Sequence, residues 1–314
     1  MRWFMAPAAA GVFILAAALL AGCAAPQVSA LVARRPAGLP GAAEIASVPF
    51  FAQQDYQCGP ASLAAVLQHA GREATPESLV PQVYLPGRKG SLQAEMLAGT
   101  RRQGLVAYPL TPDLEALLGE IAAGNPVLVL QNLALAWFPL WHYAVAIGYD
   151  LDERILILRS GVTRRQEMSL DTFEYTWARS GHWAMLALPP ERVPVSATEQ
   201  TYIAAVAALE RVHPAAARRA YESALARWPQ SLTAELGLGN ASYALHDLAA
   251  AAAAYRRAAE QHPAAADAWN NLAQALIEQG SRDEALAAAR RAVALGGPRL
   301  PAYRETLEQI LQRP

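Results

Sequence analysis

A thiol and an imidazole, far apart in the chain, are the pair that can do chemistry. Cys58 stands in Gln57-Cys58-Gly59-Pro60, and His142 opens the run His142-Tyr143-Ala144-Val145. A thiolate attacks a carbonyl carbon, and an imidazole beside it takes and returns the proton. Gln53, with Gln54 as second choice, lies a few residues ahead of the cysteine and offers an amide N–H to a developing oxyanion. Gly59 lets a substrate backbone pass close, and the N–H groups around it offer further donors. Ser160 can accept the far N–H of the histidine, more weakly than a carboxylate. Of the other histidines (His69, His182, His213, His246 and His262), only His182 stands where a rival base could stand. Trp137, Phe138, Trp141 and Tyr143 surround His142 and suit either a cleft for apolar side chains, with Trp141 against substrate, or plain core packing.

These groups need elements to position them. Residues 48–51 are apolar and suit a short strand or an extended lead-in. Cys58 then opens a helix that continues through Ala61, Leu63, Ala64, Val66 and Leu67 and ends at Gly71. Pro60 falls in its first turn, where a missing N–H costs nothing. A thiol at a helix N-terminus gains from the helix dipole, which favours the thiolate. Residues 125–131, 142–149 and 154–160 read as strands, the last two joined into a hairpin by an Asp-rich turn. A period of two places His142, Ala144, Ala146 and Gly148 on one face, leaving room there for a helix end and a substrate chain. Helical spacing recurs at 94–102 and 114–123, residues 84–91 form a turn-rich loop carrying Arg88 and Lys89, and 173–188 supplies a helix and a last strand before Pro189-Pro190.

The two parts together resemble family 39 of the papain-like cysteine peptidases, which includes the exporter domains that process bacteriocin leaders. Gln53, Asp55, Cys58, Gly59 and Pro60 match the first part of its pattern, and His142, Val145, Gly148 and Tyr149 match the second. The resemblance spans roughly residues 45–190. It implies an α+β fold, with N-terminal helices packed on an antiparallel sheet, Cys58 as nucleophile, His142 as base and Gln53 at the oxyanion. It implies no cofactor and no metal. The family places an Asp, often Asp-Pro, near the end of the strand after the histidine; here that stretch reads Leu158-Arg159-Ser160-Gly161. Asp150, Asp152 and Asp171 lie outside the motif.

The first residues read as an address. Arg2, an apolar run from Phe4 to Ala21 and small residues before Cys23 make a secretory signal over 1–22. Leu20-Ala21-Gly22-Cys23 resembles the lipobox of bacterial lipoproteins, which implies acylation of Cys23 and a lipid anchor in the cell envelope. Ala24, where an Asp is absent, implies the outer membrane facing the periplasm. Residues 23–44, with Pro26, Pro36, Gly38, Pro40 and Gly41 and no sustained period, read as a tether. Cys58 is then left without an intramolecular partner.

From 198 to 314 the chain repeats. Pro229 and Pro263 are 34 residues apart, and Pro298 follows 35 later. In that frame Ala217, Ala251 and Ala285 coincide, as do Tyr221, Tyr255 and Ala289, and Ala224, Ala258 and Ala292. Leu238 and Gly239 fit the start of the second unit, and Trp269, Leu272 and Ala273 that of the third. The stretch resembles three tetratricopeptide repeats with a capping helix over 300–313, which form an all-α solenoid. Such stacks present a concave surface to peptides or proteins, or serve as spacers.

Composition narrows the function. Hydrophobic residues make up 54% and charged residues 17%, with Lys+Arg 26 against Asp+Glu 27 and a net charge of −1. No basic field exists to draw nucleic acid. No metal-ligand spacing, phosphate loop or dinucleotide fingerprint is present. The expectation is an envelope-anchored cysteine peptidase whose repeats recruit a protein partner or substrate. A weakly active or inactive peptidase-like scaffold is the alternative, and acyl transfer to an amine is a third reading.

Overall fold

The computed structural model describes residues 25–53 and 57–312. The signal segment 1–22, Cys23, Gln54 and Asp55 lie outside the described residues. The chain divides into two compact units, one holding the described residues up to 92 together with 109–186, the other 93–108 and 187–314. No helix among the described residues is long and apolar enough to cross a membrane.

The first unit is α+β. Its helices are α1 (Pro26–Arg34), α2 (Cys58–His69), α3 (Pro76–Val83), and later α5 (Leu114–Ala122) and α6 (Leu170–Ala178), with α4 (Gln93–Arg102) falling in the second unit. Its strands are β1 (Ala42–Glu44), β3 (Val127–Asn132), β4 (Trp141–Asp150), β5 (Ile155–Ser160), β6 (Thr163–Ser169) and β7 (Ala184–Leu188). They run β7-β3-β4-β5-β6, with β1 also on β4, and these neighbours pair antiparallel. β3 is buried on both faces, as its run Val-Leu-Val-Leu-Gln-Asn requires, and β4 is buried from Tyr143 to Tyr149. The helix that Cys58 opens is buried from Gly59 to Leu67. Gly148 is glycine for a reason of space: a Cβ there would lie 2.8 Å from the Ala43 carbonyl oxygen of β1.

Two expectations need correction. Residues 26–44 are not a tether. Val28 and Leu31 of α1 are buried, and the Glu174 carboxylate of α6 accepts the N–H groups of Gln27 (3.0 Å) and Val28 (2.7 Å). That carboxylate supplies the cap which Ala25 cannot. Of the two forms open to residues 48–51, the structure shows the lead-in without a strand, and the strand lies earlier, at β1. Within 45–190, α4 (Gln93–Arg102) and β2 (Val106–Pro109) group with the second unit almost entirely, where the Tyr108 hydroxyl meets Thr201 Oγ1 at 2.9 Å.

The second unit is otherwise helical: α7 (Glu199–Glu210), α8 (Pro214–Arg227), α9 (Leu232–Ala244), α10 (Leu248–Gln261), α11 (Ala266–Glu278), α12 (Arg282–Leu295) and α13 (Leu300–Gln312). Thr198, His213, Ser231 and Asp247 cap four of these helices through their side chains. The two alanine sets singled out by the 34-residue frame, and Ala289 of the third set, are fully buried, because small residues let helices approach. The tyrosines of the frame fill the space left by glycines, Tyr221 against Gly237 and Tyr255 against Gly239.

Candidate active site

α2 presents Cys58 as its first residue, half-buried and unpaired. Burial pushes its thiol up from the ordinary value, while the backbone amides of Tyr143, Gly59 and Cys58 itself pull the other way. The amide of Tyr143 belongs to β4, one residue past His142. Four residues on, one turn along the same face of α2, the buried Ser62 hydroxyl donates to the Tyr143 carbonyl at 3.1 Å. The helix thus holds the backbone of one residue of β4 at both of its polar groups, the Tyr143 N–H towards the sulfur and its C=O on Ser62.

That grip fixes the strand position from which His142 projects. The His142 ring meets Ser160 of β5 through Nε2, at 2.9 Å from the hydroxyl oxygen. Ser160 lies diagonally across the hairpin, since Val145 pairs with Arg159. With Nε2 engaged, Nδ1 is the ring nitrogen left for a proton exchange with a thiol. Burial pushes the His142 imidazole down. Both shifts favour the neutral forms, against the thiolate that the helix dipole alone suggests.

Gln53 is brought to the same place. Its N–H donates to Gly161 at 3.0 Å, and its side-chain Nε2 lies 3.4 Å from both Ser62 Oγ and the Tyr143 carbonyl. These side-chain contacts are long and weak. Gly59 is buried at the helix start, and Trp141 stands half exposed at the head of β4. The rival base, His182, packs edge-on against Trp177 at 4.8 Å between ring centroids. The three aspartates are spent elsewhere: Asp150 accepts the Asp152 and Glu153 amides in the β4–β5 turn, Asp152 pairs with Arg35, and Asp171 pairs with Arg154.

Two residues of the site were not singled out by the sequence reading. Ser62 had a signal, its spacing of four from Cys58. Arg159 had none; its buried guanidinium donates to the carbonyls of Ala46 and Val48 at 3.1 Å and to that of Arg164, lashing the lead-in segment to β5. Among the described residues no group of His, Cys, Asp and Glu is placed to hold a metal ion.

A thiol at a helix start and an imidazole oriented from a hairpin are the two parts that the peptidase pattern demands. Residues 45–185 match the family described as Peptidase_C39 like family. Residues 204–258 and 236–299 match the tetratricopeptide repeat family. No curated protein matches the chain significantly. Among solved structures, a candidate C39-like peptidase from Bacillus anthracis is similar at 18% identity, covering 48% of this chain and 98% of that one with a TM-score of 0.41. A crystal structure of MamA protein is similar at 16% identity, covering 46% of this chain and 70% of that one with a TM-score of 0.34. The C39-like domain of this chain therefore carries Ser160, not an aspartate, against its candidate base.

Proposed function

We propose that the chain is a cysteine peptidase held in the bacterial envelope by an acylated Cys23, with its repeats recruiting the protein it acts on. In this reading Cys58 Sγ bonds to a peptide carbonyl carbon while its proton passes to His142 Nδ1. The tetrahedral oxyanion meets the amides at the start of α2, and Gln53 swings to add a donor. The C–N bond then breaks, His142 returns the proton to the leaving amine, and water hydrolyses the thioester by the same relay. Because burial favours the neutral pair, His142 acts as a general base when substrate arrives. The observation that carries the reading is the Nε2–Ser160 contact, which leaves the other ring nitrogen available. Ser160 holds the ring without neutralising an imidazolium, so the proposed rate is modest.

The test is covalent trapping. Incubation with a peptide aldehyde or vinyl sulfone should add one adduct at Cys58 in the wild type and none in Cys58→Ala or His142→Ala. An unmodified wild type, with equal processing of peptides by all three proteins, would sink the peptidase reading. The scaffold reading would then take its place; it is favoured by the buried thiol and the absent carboxylate. The anchor is tested separately, by the mass of the mature N-terminus with and without Cys23→Ser.

A further inference from the structure

Between β3 and β4 the chain exposes an apolar turn. Trp137 and Phe138 are 80% and 78% exposed, and Leu133, Leu135, Leu140 and Trp141 are exposed around them. Single apolar side chains on a surface are ordinary, but a contiguous set is not. The turn is also built. Leu133 donates to the Leu140 carbonyl at 2.9 Å, and the Asn132 side-chain oxygen accepts the amides of Ala134 (3.1 Å) and Leu140 (2.9 Å). Leu135 and Phe138 bridge, and Arg179 at the end of α6 grips the carbonyls of Asn132 and Ala134. An aromatic tip on a turn whose base is hydrogen-bonded on both sides suits the polar–apolar boundary of a bilayer. Trp in particular settles at the headgroup level of a bilayer.

We propose that this turn, with the exposed Tyr175 beside it on α6, docks on a lipid bilayer and sets the His142 end of β4 at the membrane surface. The choice of a bilayer over a protein rests on the anchor reading and on where the chain leaves the body. Cys23 is two residues ahead of Ala25. The first amides of α1 are held by Glu174, five residues before Arg179, a rise of about 7.5 Å along α6. The start of α1 and the aromatic turn are thus fastened to one short helix.

The experiment uses residues 24–314, which keep every described element and lack the acyl group, with vesicles of phosphatidylethanolamine and phosphatidylglycerol. The wild type is expected to co-sediment, with tryptophan emission quenched by brominated lipid. The double substitution Trp137→Glu and Phe138→Glu should lower the bound fraction about tenfold, with circular dichroism unchanged. Cys58→Ala should bind like the wild type, so loss of the peptidase reading leaves this one standing. Binding that persists when Cys23 proves unacylated also supports it. Equal partitioning of wild type and double variant overturns the proposal. So does a raised KM for soluble peptides without vesicle binding, which assigns the turn to substrate, or a dimer that the double variant dissolves.

Discussion

The two units solve the same problem of burial with opposite bookkeeping of sequence distance. In the helical unit the decisive contacts are local: Tyr221 fills the space at Gly237, and Tyr255 that at Gly239, each from the next helix or the one before. In the C39-like unit they are remote. Ser62 reaches Tyr143 across 81 residues, and Arg159 reaches Val48 across 111. A local scheme is robust and repetitive, since each contact depends on its neighbours alone. A remote scheme is what holds α2 and the lead-in against the sheet, and it fails as a whole.

The sharpest way to separate the two is to remove the base. His142→Ala should cut kcat/KM for peptide cleavage by about 10³-fold or more, roughly 4 kcal/mol of barrier, while the far-ultraviolet signal of the helices stays unchanged. Next comes the reverse experiment. Gly239→Val drives a Cβ to 2.3 Å from the Tyr255 ring, whose hydroxyl is held by Asn240 at 2.7 Å. It should cost about 2–3 kcal/mol in urea unfolding of the repeats and leave the trapping rate at Cys58 untouched. If trapping falls as far as stability, the contrast between the units is broken.

How much of this could be read from the chain follows the same division. The 34-residue frame exposes the repeats because local contacts leave a local period. Cys58 and His142 are legible because each sits in a short run whose residues serve one element. Residues 26–44 misled, because Pro and Gly at 36–41 dominate their composition while α1 is secured by Glu174, 146 residues beyond Val28. β6 left no trace in the pattern: Thr163–Ser169 is an edge strand, largely exposed, so it needs no apolar alternation. The upward shift of the Cys58 thiol and the downward shift of the His142 imidazole also lie beyond sequence, since they come from burial that only the assembled sheet provides.

A smaller effect tests the clamp. Ser62→Ala leaves the Tyr143 carbonyl with only the long Gln53 contact. It should cost about 1–2 kcal/mol of stability in the first unit and slow Cys58 alkylation, whereas Ser62→Thr should recover part of both. The smallest effect is in pH. The folded His142 resists protonation while the unfolded ring takes it up near 6.5. Its stabilising contribution is therefore whole above that value and is lost as pH falls through the lower, folded one. Between pH 8 and 5 the thermal midpoint of the wild type should fall more than that of His142→Ala. Equal slopes would deny the imidazole its buried, neutral state.

The carboxylate of Glu174 has a mechanical meaning. It holds the first two available amides of α1, so a pull on anything joined ahead of residue 25 meets the body there. Two bonds to one buried carboxylate share the load and must rupture together. The strain is then carried into α6, a helix wedged against the sheet, and not along β1, whose three-residue pairing with β4 is the kind of contact that peels one bond at a time. A pull on the leading end is in this way met without the β4–β5 hairpin being unzipped.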